Sequence, residues 1–250
     1  MTPTITPIRP QSSPDTDHTR DARALLDELD LDLDEVNREF ATHLDPARMI
    51  QWLADTVLAA GESLDRIIVA SAMANTALLD VVSKVLPGVE VLFIDTGYHF
   101  EETLETARLA GRRYNISLKV TPAPPIGDRQ YLTDSDGCCN LRKVVPLEEA
   151  LQGRVAWISG VRRSDSASRA STPFVHRDRR GLLKLNPITH WSDAELAEYV
   201  AANDVVLNPL LSQGYPSIGC WPCTRRVAAG EDARSGRWSG QEKTECGLHL

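Results

Sequence analysis

Apolar positions along this chain fall into short β-branched runs separated by longer amphipathic stretches. RIIVAS (Arg66–Ser71), VEVLFIDT (Val89–Thr96), ISLKVT (Ile116–Thr121) and VAWISG (Val155–Gly160) have the length and composition of buried strands. LLKLNP (Leu182–Pro187) predicts a shorter one. Between them, helices are predicted over NTALLDVVSKVL (Asn75–Leu86), stopped by Pro87-Gly88, and over HFEETLETARLAGRRY (His99–Tyr114), with its charges on one side. WSDAELAEYVAAND (Trp191–Asp204) predicts another, with Ser192 as its N-cap. Upstream, Ala22–Phe40 reads as a helix, as does Pro46–Ala60, where Met49, Ile50, Leu53 and Val57 recur at helical spacing. Residues 1–20 are rich in Pro, Ser, Thr and Asp and predict disorder. Residues 21–230 are expected to form one α/β domain, and residues 231–250 a flexible C-terminal tail carrying the last cysteine.

Strands alternating with helices imply an α/β fold: a mostly parallel twisted sheet with helices on both faces. Ligands in such sheets bind outside the carboxyl ends of the strands. After the first strand comes Ser71-Ala72-Met73-Ala74-Asn75, after the second Asp95-Thr96-Gly97-Tyr98-His99, and after the fourth Gly160-Val161-Arg162-Arg163. Small, hydroxyl and basic residues thus gather on one rim, next to helix N-termini that offer unpaired N–H groups to an anion. The expected ligand is nucleotide-like and phosphorylated. Tyr98 and His99 are expected to cap or pack.

The net charge of −8 over 250 residues argues against a general nucleic-acid binder, which would carry a basic excess. No apolar run reaches membrane-spanning length, and the first residues lack the apolar core of a secretory signal, so a cytoplasmic location is expected. Five cysteines in a reducing compartment point to metal binding or catalysis rather than disulfides.

Cys138 and Cys139 are adjacent, and Cys220 and Cys223 form a CxxC. Four soft thiolates suit zinc or an iron–sulfur cluster. Neighbouring cysteines fit zinc spacing poorly. On a helix they point about 100° apart and could each reach one corner of a cube, which favours [4Fe–4S]. The segment is flanked by Asp134 and Asp136 and holds Asn140 and Arg142, so it does not read as core. Lys143, one turn on, is either a solvated lysine or a cation shared by the cluster and a bound anion. Arginine forks suit phosphate and sulfate. Arg162 and Arg163 sit at a strand end and are the better candidates in a loop that also holds Arg169, Arg177, Arg179 and Arg180. The last three read as solvated. Arg234 and Arg237 lie in a Gly/Ser-containing loop between the CxxC and the tail.

Taken in order, IDTGYHFEET (Ile94–Thr103), CCNLRKVVPL (Cys138–Leu147), GVRRSDSASRA (Gly160–Ala170), NPLLSQGYPSIGCWPCT (Asn208–Thr224), SGRW (Ser235–Trp238) and KTECGLHL (Lys243–Leu250) resemble the thioredoxin-dependent assimilatory adenylyl-sulfate reductases, relatives of the 3′-phosphoadenylyl-sulfate reductases. The resemblance spans most of Arg66–Leu250. It implies an adenine-nucleotide α-hydrolase-like fold related to the ATP pyrophosphatases, with a tail that swings in to substrate and out to thioredoxin. It further implies that Cys246 is the nucleophile attacking the sulfur of adenosine 5′-phosphosulfate, that an S-sulfocysteine forms, and that thioredoxin releases sulfite, in sulfate assimilation and cysteine biosynthesis. A cation that compensates the Cys246 thiolate is expected, with His249, Arg234 and Arg237 as candidates, and His249 joins Cys246 as an expected catalytic residue. Lys143, Arg234 and Arg237 would hold the phosphosulfate with Arg162 or Arg163 helping, while Ser71, Thr96, Gly97 and Gly160 would line the nucleotide site. Cys138, Cys139, Cys220 and Cys223 would hold a [4Fe–4S] cluster. No nucleic-acid or membrane partner is implied, and homo-oligomerisation is left open.

The first loop, Ser71-Ala72-Met73-Ala74-Asn75-Thr76, departs from the S-G-G-x-D-[ST] of the ATP pyrophosphatases. Without glycines the backbone wraps a triphosphate less closely. Three alternatives stand beside the main expectation: a reductase preferring the 3′-phosphorylated substrate, an ATP-dependent tRNA sulfur-transfer enzyme, and a zinc-stapled binding module. The second needs an intact glycine-rich loop and a basic face. The third leaves Cys246 and the arginines without a role.

Overall fold

The structure is a computed structural model; it describes residues 31–127, 129–239, 241, 243 and 245–248. The disorder expected for residues 1–20 and the start of the first helix fall outside these, as does His249.

Six strands form one sheet: β1 (Ile67–Ala70), β2 (Val89–Phe93), β3 (Ile116–Val120), β4 (Ala156–Ser159), β5 (Val175–Arg177) and β6 (Leu183–Leu185). Their order is β3-β2-β1-β4-β6-β5. All neighbours pair in parallel except β5, which runs antiparallel to β6 at the edge. The five strands expected from apolar runs are present, shorter at their polar ends. β5 was not expected. It has a single fully buried position, Val175, in a polar segment, and pairs only at Val175–Leu185 through Arg177–Leu183.

Among the described residues eight α-helices accompany the sheet: α1 (Leu33–Thr42), α2 (Pro46–Ala59), α3 (Ala77–Val85), α4 (Glu101–Arg113), α5 (Gln130–Thr133), α6 (Ser135–Cys139), α7 (Val145–Leu151) and α8 (Asp193–Asn203). The starts are written in side chains. Asp32 and Asp45 each accept two backbone N–H bonds at the heads of α1 and α2. Ser192 and Glu195 close a reciprocal capping box on α8.

Side chains alternate between the two sheet faces. On one face Ile67, Val69, Val91, Phe93 and Ile158 meet α2, α3, α4 and α8 in the main core. On the other, Ile68, Leu92 and Trp157 meet Leu147, Ala150 and Leu151 of α7. Helices therefore cover both faces. Each fully buried aliphatic side chain contributes about 1.5–3 kcal/mol relative to exposure. Among the described residues no helix is long and apolar enough to cross a membrane.

Between β1 and β4 the strand order reverses direction. In sheets of this kind that reversal opens a crevice at the carboxyl ends, and the loops after β1, β2 and β4 rim it.

Candidate active site

The β1 loop serves the fold. Ser71 Oγ accepts from the Met73 N–H at 3.3 Å, and Met73 is buried with φ +56°. Asn75 Oδ1 accepts from the Ala77 N–H at 3.3 Å, so the amide at the position that departs from the pyrophosphatase motif helps start α3. Thr76 is buried and bonded to the Tyr114 hydroxyl at 2.8 Å.

In the β2 loop, Asp95 Oδ1 accepts from the Gly97 N–H at 2.9 Å, and Gly97 adopts φ +73°. A β-carbon there would lie 2.8 Å from the Ile126 side chain, so conformation and packing both require glycine. Thr96 is buried, with Oγ1 3.3 Å from Cys220 Sγ. Tyr98 packs edge-on against Tyr131 and Trp221 at centroid distances of 5.2 and 6.1 Å, and the His99 Nε2–H donates to the Ile94 carbonyl at 2.9 Å. Burial, partly offset by that bond and by Asp95, lowers the His99 pKa.

The Cys-Cys pair sits on an interrupted helical run. Asp134 caps α6 by accepting from the Gly137 N–H at 2.8 Å. Asn140–Val144 then forms a π turn in which the Val145 N–H reaches back to the Asn140 carbonyl. Pro146 supplies the reason: it has no N–H for the Arg142 carbonyl, and its ring crowds that carbonyl. The run is core after all. Cys138, Cys139, Arg142 and Lys143 are all buried, and Arg142 is only 1% exposed. Arg142 donates to the Thr96 and Pro124 carbonyls at 3.1 Å each and to the Pro125 carbonyl at 2.6 Å, with its guanidinium 4.6 Å from the Tyr98 ring centroid. It fastens the cysteine helix to the β2 loop. Sequence reasoning took its charge as a sign of exposure; Pro146 and the aromatic Tyr98 were the available signals.

The CxxC occupies a short 3-10 turn, Trp221–Cys223, held by the Trp221 N–H on the Tyr98 carbonyl at 2.8 Å. The SGRW segment folds back on it through a Thr224–Arg237 bridge and a Trp238 N–H to Cys223 carbonyl bond of 3.0 Å. Arg237 Nη1 donates to Ser217 Oγ at 3.2 Å and to the Ile218 carbonyl at 3.3 Å. Its guanidinium lies where any side chain at position 219 would have to go, which explains Gly219. Arg237 Nε is buried and has no hydrogen-bond partner among the described residues.

Four thiols thus converge from two segments. Tyr98, Cys138 and Cys220 pack in one cluster. Burial pushes the Cys223 thiol up to about 11, with Cys220, Cys139 and Cys138 adding to it. Burial and Cys139 likewise raise Cys138. A thiol so placed loses its proton readily only beside a positive charge that stabilises the thiolate, and a bound metal deprotonates it outright. Among the described residues no three ligating side chains meet in the geometry of a single metal ion. The donor set, four sulfurs with no nitrogen or oxygen, fits a thiolate-ligated group.

Cys246 lies beside these residues. Burial lowers the Lys143 pKa, but the charges of Cys220, Cys246 and Cys139 outweigh it and the net shift is upward. Arg237 is lowered by burial and by Arg234, and drawn back by Cys246, Cys220 and Cys223. Lys143 and Arg237 therefore stand close enough to interact with the tail cysteine and the CxxC together. Glu245 is bound by Arg169 and Arg234, and Leu248 packs on the Trp157–Leu147 cluster.

Other expected residues look elsewhere. Arg162 pairs with Asp165 at 3.0 Å and Asp193 at 2.9 Å. Arg163 donates to the Thr172 carbonyl and stacks over Phe174 at 4.8 Å. Gly160 is exposed at the end of β4. Of the arginines read as solvated, Arg179 is exposed, whereas Arg180 is largely buried between Glu148 and Asp178. Arg169, passed over in the sequence, is the loop arginine that meets the tail. Nothing in its spacing separates it from its neighbours.

The sheet defines the class first. A Candida glabrata FMN adenylyltransferase structure superposes with a TM-score of 0.53 at 12% identity, covering 82% of this chain and 74% of that one, so the fold is of the adenine-nucleotide α-hydrolase-like kind. The phosphoadenylyl-sulfate (PAPS) reductase of Candida auris, solved as a phosphate complex, superposes with a TM-score of 0.64 at 26% identity, covering 78% of this chain and 96% of that one. The family model for the phosphoadenosine phosphosulfate reductase domain matches residues 66–226. The adenosine 5′-phosphosulfate reductase of Mycobacterium tuberculosis is 49% identical over 191 residues, covering 73% of this chain and 75% of that protein. The chain belongs to the adenylyl-sulfate and phosphoadenylyl-sulfate reductase family.

Proposed function

We propose that this chain reduces adenosine 5′-phosphosulfate to sulfite and AMP, with Cys246 as nucleophile and thioredoxin as reductant, in sulfate assimilation leading to cysteine. What supports the reading is that Arg169 and Arg234 bind Glu245, the residue before Cys246, and that Lys143, Arg169 and Arg237 feel the charge of Cys246. The name of the mycobacterial relative supports the substrate without the 3′-phosphate.

The Cys246 thiolate attacks the substrate sulfur. The S–O bond to the phosphate breaks, and AMP leaves with that electron pair, giving S-sulfocysteine. A thioredoxin thiolate then attacks the Cys246 sulfur. Sulfite departs and a mixed disulfide remains, which the second thioredoxin thiol resolves. Thiolate character governs the first step. Lys143 and Arg237 favour it by charge, and Arg237 Nε, which has no partner among the described residues, would offer its N–H to the phosphosulfate. Arg234 would assist, and Thr96 and Gly97 would line the nucleotide. Cys138, Cys139, Cys220 and Cys223 would hold a [4Fe–4S] cluster, which would supply charge to the site without taking net electrons in turnover. His249 would act with Cys246 in catalysis, and Ser71, Gly160, Arg162 and Arg163 would stand near the nucleotide.

The test is peptide mass spectrometry after anaerobic incubation with adenosine 5′-phosphosulfate and no thioredoxin. One sulfonate should appear on the Cys246 peptide and vanish when reduced thioredoxin is added. No adduct on protein with a verified cluster, with either the plain or the 3′-phosphorylated substrate, refutes the reading.

A further inference from the structure

Glu245 immediately precedes Cys246, and its carboxylate is the most heavily bonded polar group of the described tail. Arg169 grips it with both arms of the fork: Nε–H to Oε1 at 2.9 Å and Nη2–H to Oε2 at 2.8 Å. Arg234 Nη2 stands 3.3 Å from Oε2, and the hydroxyls of Ser168 and Ser166 donate to Oε1 at 3.3 and 3.5 Å. Arg169 is itself held by Asp165 at 3.3 Å, on the two 3-10 turns after β4. Arg169, Arg234 and Glu245 are each 15% exposed, so water screens the contact weakly. Bidentate, charge-assisted pairs of this kind are strong and geometrically specific.

The surroundings give the pair its meaning. The described residues after Trp238 include no helix or strand, so the tail's docking rests on side-chain contacts. On either side of Glu245 these are Lys243 on the Ser135 carbonyl and Asp136, and Leu248 on the apolar cluster over β1 and β4. Glu245 lies between them, one residue from the thiol.

We propose that Glu245 is a positioning residue whose carboxylate, latched by Arg169, holds the tail docked with Cys246 turned to Lys143 and Arg237. The assignment of Cys246 as nucleophile rests on the function proposed above; the latch itself is a property of the resting protein. When the pair breaks the tail undocks, and the parallel-sheet domain keeps its fold.

The test uses the full chain with its cluster, reduced and without substrate. Cys246 alkylation by iodoacetamide is followed by peptide mass spectrometry as a function of pH, so that the high-pH plateau reports exposure and the midpoint reports thiol acidity. Glu245→Gln should raise the plateau about ten-fold, which corresponds to ~1.4 kcal/mol of docking free energy. Arg169→Met should do the same, and the double variant should exceed neither, because the two act through one contact. Melting temperatures should fall by no more than about 3–6 °C, the share that ~1.4 kcal/mol carries in a chain of this length. A plateau within two-fold of the parent in Glu245→Gln, effects that multiply in the double variant, or a large fall in melting temperature would each overturn the latch. Parallel single-turnover sulfonation with adenosine 5′-phosphosulfate keeps the two readings apart. The latch stands if alkylation behaves as stated while even the parent forms no adduct, and the reductase reading then fails alone.

Discussion

Thr96 Oγ1 lies 3.3 Å from Cys220 Sγ, joining two segments 124 residues apart in the chain. Thr96 also accepts from the Tyr98 N–H at 3.2 Å, and when Cys220 is a thiolate the Thr96 hydroxyl is the donor of the pair. Hydrogen bonds to sulfur ligands stabilise the thiolate form and tune a bound cluster. Thr96→Val keeps the shape and removes the donor. If the proposed cluster is bound, aerobic bleaching of its absorbance should run roughly five-fold faster, the equivalent of about 1 kcal/mol for one hydrogen bond. Unchanged bleaching would show that this contact does nothing for the cluster.

Cys246→Ser replaces a strong nucleophile with a weak one of nearly equal size. Sulfite release should fall by at least about 10³-fold, with melting temperature and iron content unchanged. Substantial residual turnover would move the nucleophile to another residue.

Arg237 combines a buried Nε–H, without a partner among the described residues, with a fork that already holds Ser217 and Ile218. Lysine in its place keeps the charge and loses the fork. Arg237→Lys should lower kcat/KM by roughly 10–100-fold, consistent with losing a charged hydrogen bond of ~1.5–3 kcal/mol. An effect below two-fold would remove Arg237 from the phosphosulfate site.

Arg142 satisfies three backbone carbonyls from inside the protein. Arg142→Met fills much the same space and leaves all three without their donor. We expect a loss of about 3 kcal/mol, read as a fall in melting temperature of roughly 6–12 °C for a chain of this length. A fall under 2 °C would mean that water replaces the guanidinium at no cost.

Lys184 on β6 is buried, with Nζ 4.5 Å from the centroid of the Trp157 ring. Burial pushes its pKa down to about 8 from 10.5; Asp178 opposes the shift, while Arg169 and Arg180 add to it. Between pH 8 and 10.5 the unfolded chain therefore binds more protons than the folded one, and stability rises with pH across that window. Lys184→Met abolishes this titration. Its stability advantage over the parent, measured by urea unfolding, should shrink by ~3 kcal/mol from pH 7 to pH 10.5. A constant difference would place the lysine's burial cost elsewhere.

The fold was legible where one physical rule decided the outcome. Ser192 followed by Glu195 announces a capped helix, Pro46 opens α2, and the β-branched runs at Ile67–Ala70 and Val89–Phe93 have no other use than a buried strand. β5 escaped because three residues with one apolar side chain carry no period; its pairing comes from β6. The cysteine quartet was legible from number and spacing. The division of labour among arginines was not. Arg162, Arg163 and Arg169 are chemically equivalent in sequence, and only the 3-10 turns Arg163–Asp165 and Ala167–Arg169 aim one at the tail and the others at Asp193 and Thr172.

The π turn at Asn140–Val144 also acts as a phase-setter. A turn wound through an extra residue shifts everything beyond it around the helix axis relative to an unbroken α-helix. Removing one residue there would rewind the ladder and rotate α7 by about 100° against the Cys138–Cys139 pair. Leu147 and Leu151 could then face the sheet only if the two cysteines turned away from Cys220. The length of this segment is therefore fixed to the residue, and a one-residue indel should be harsher here than most substitutions.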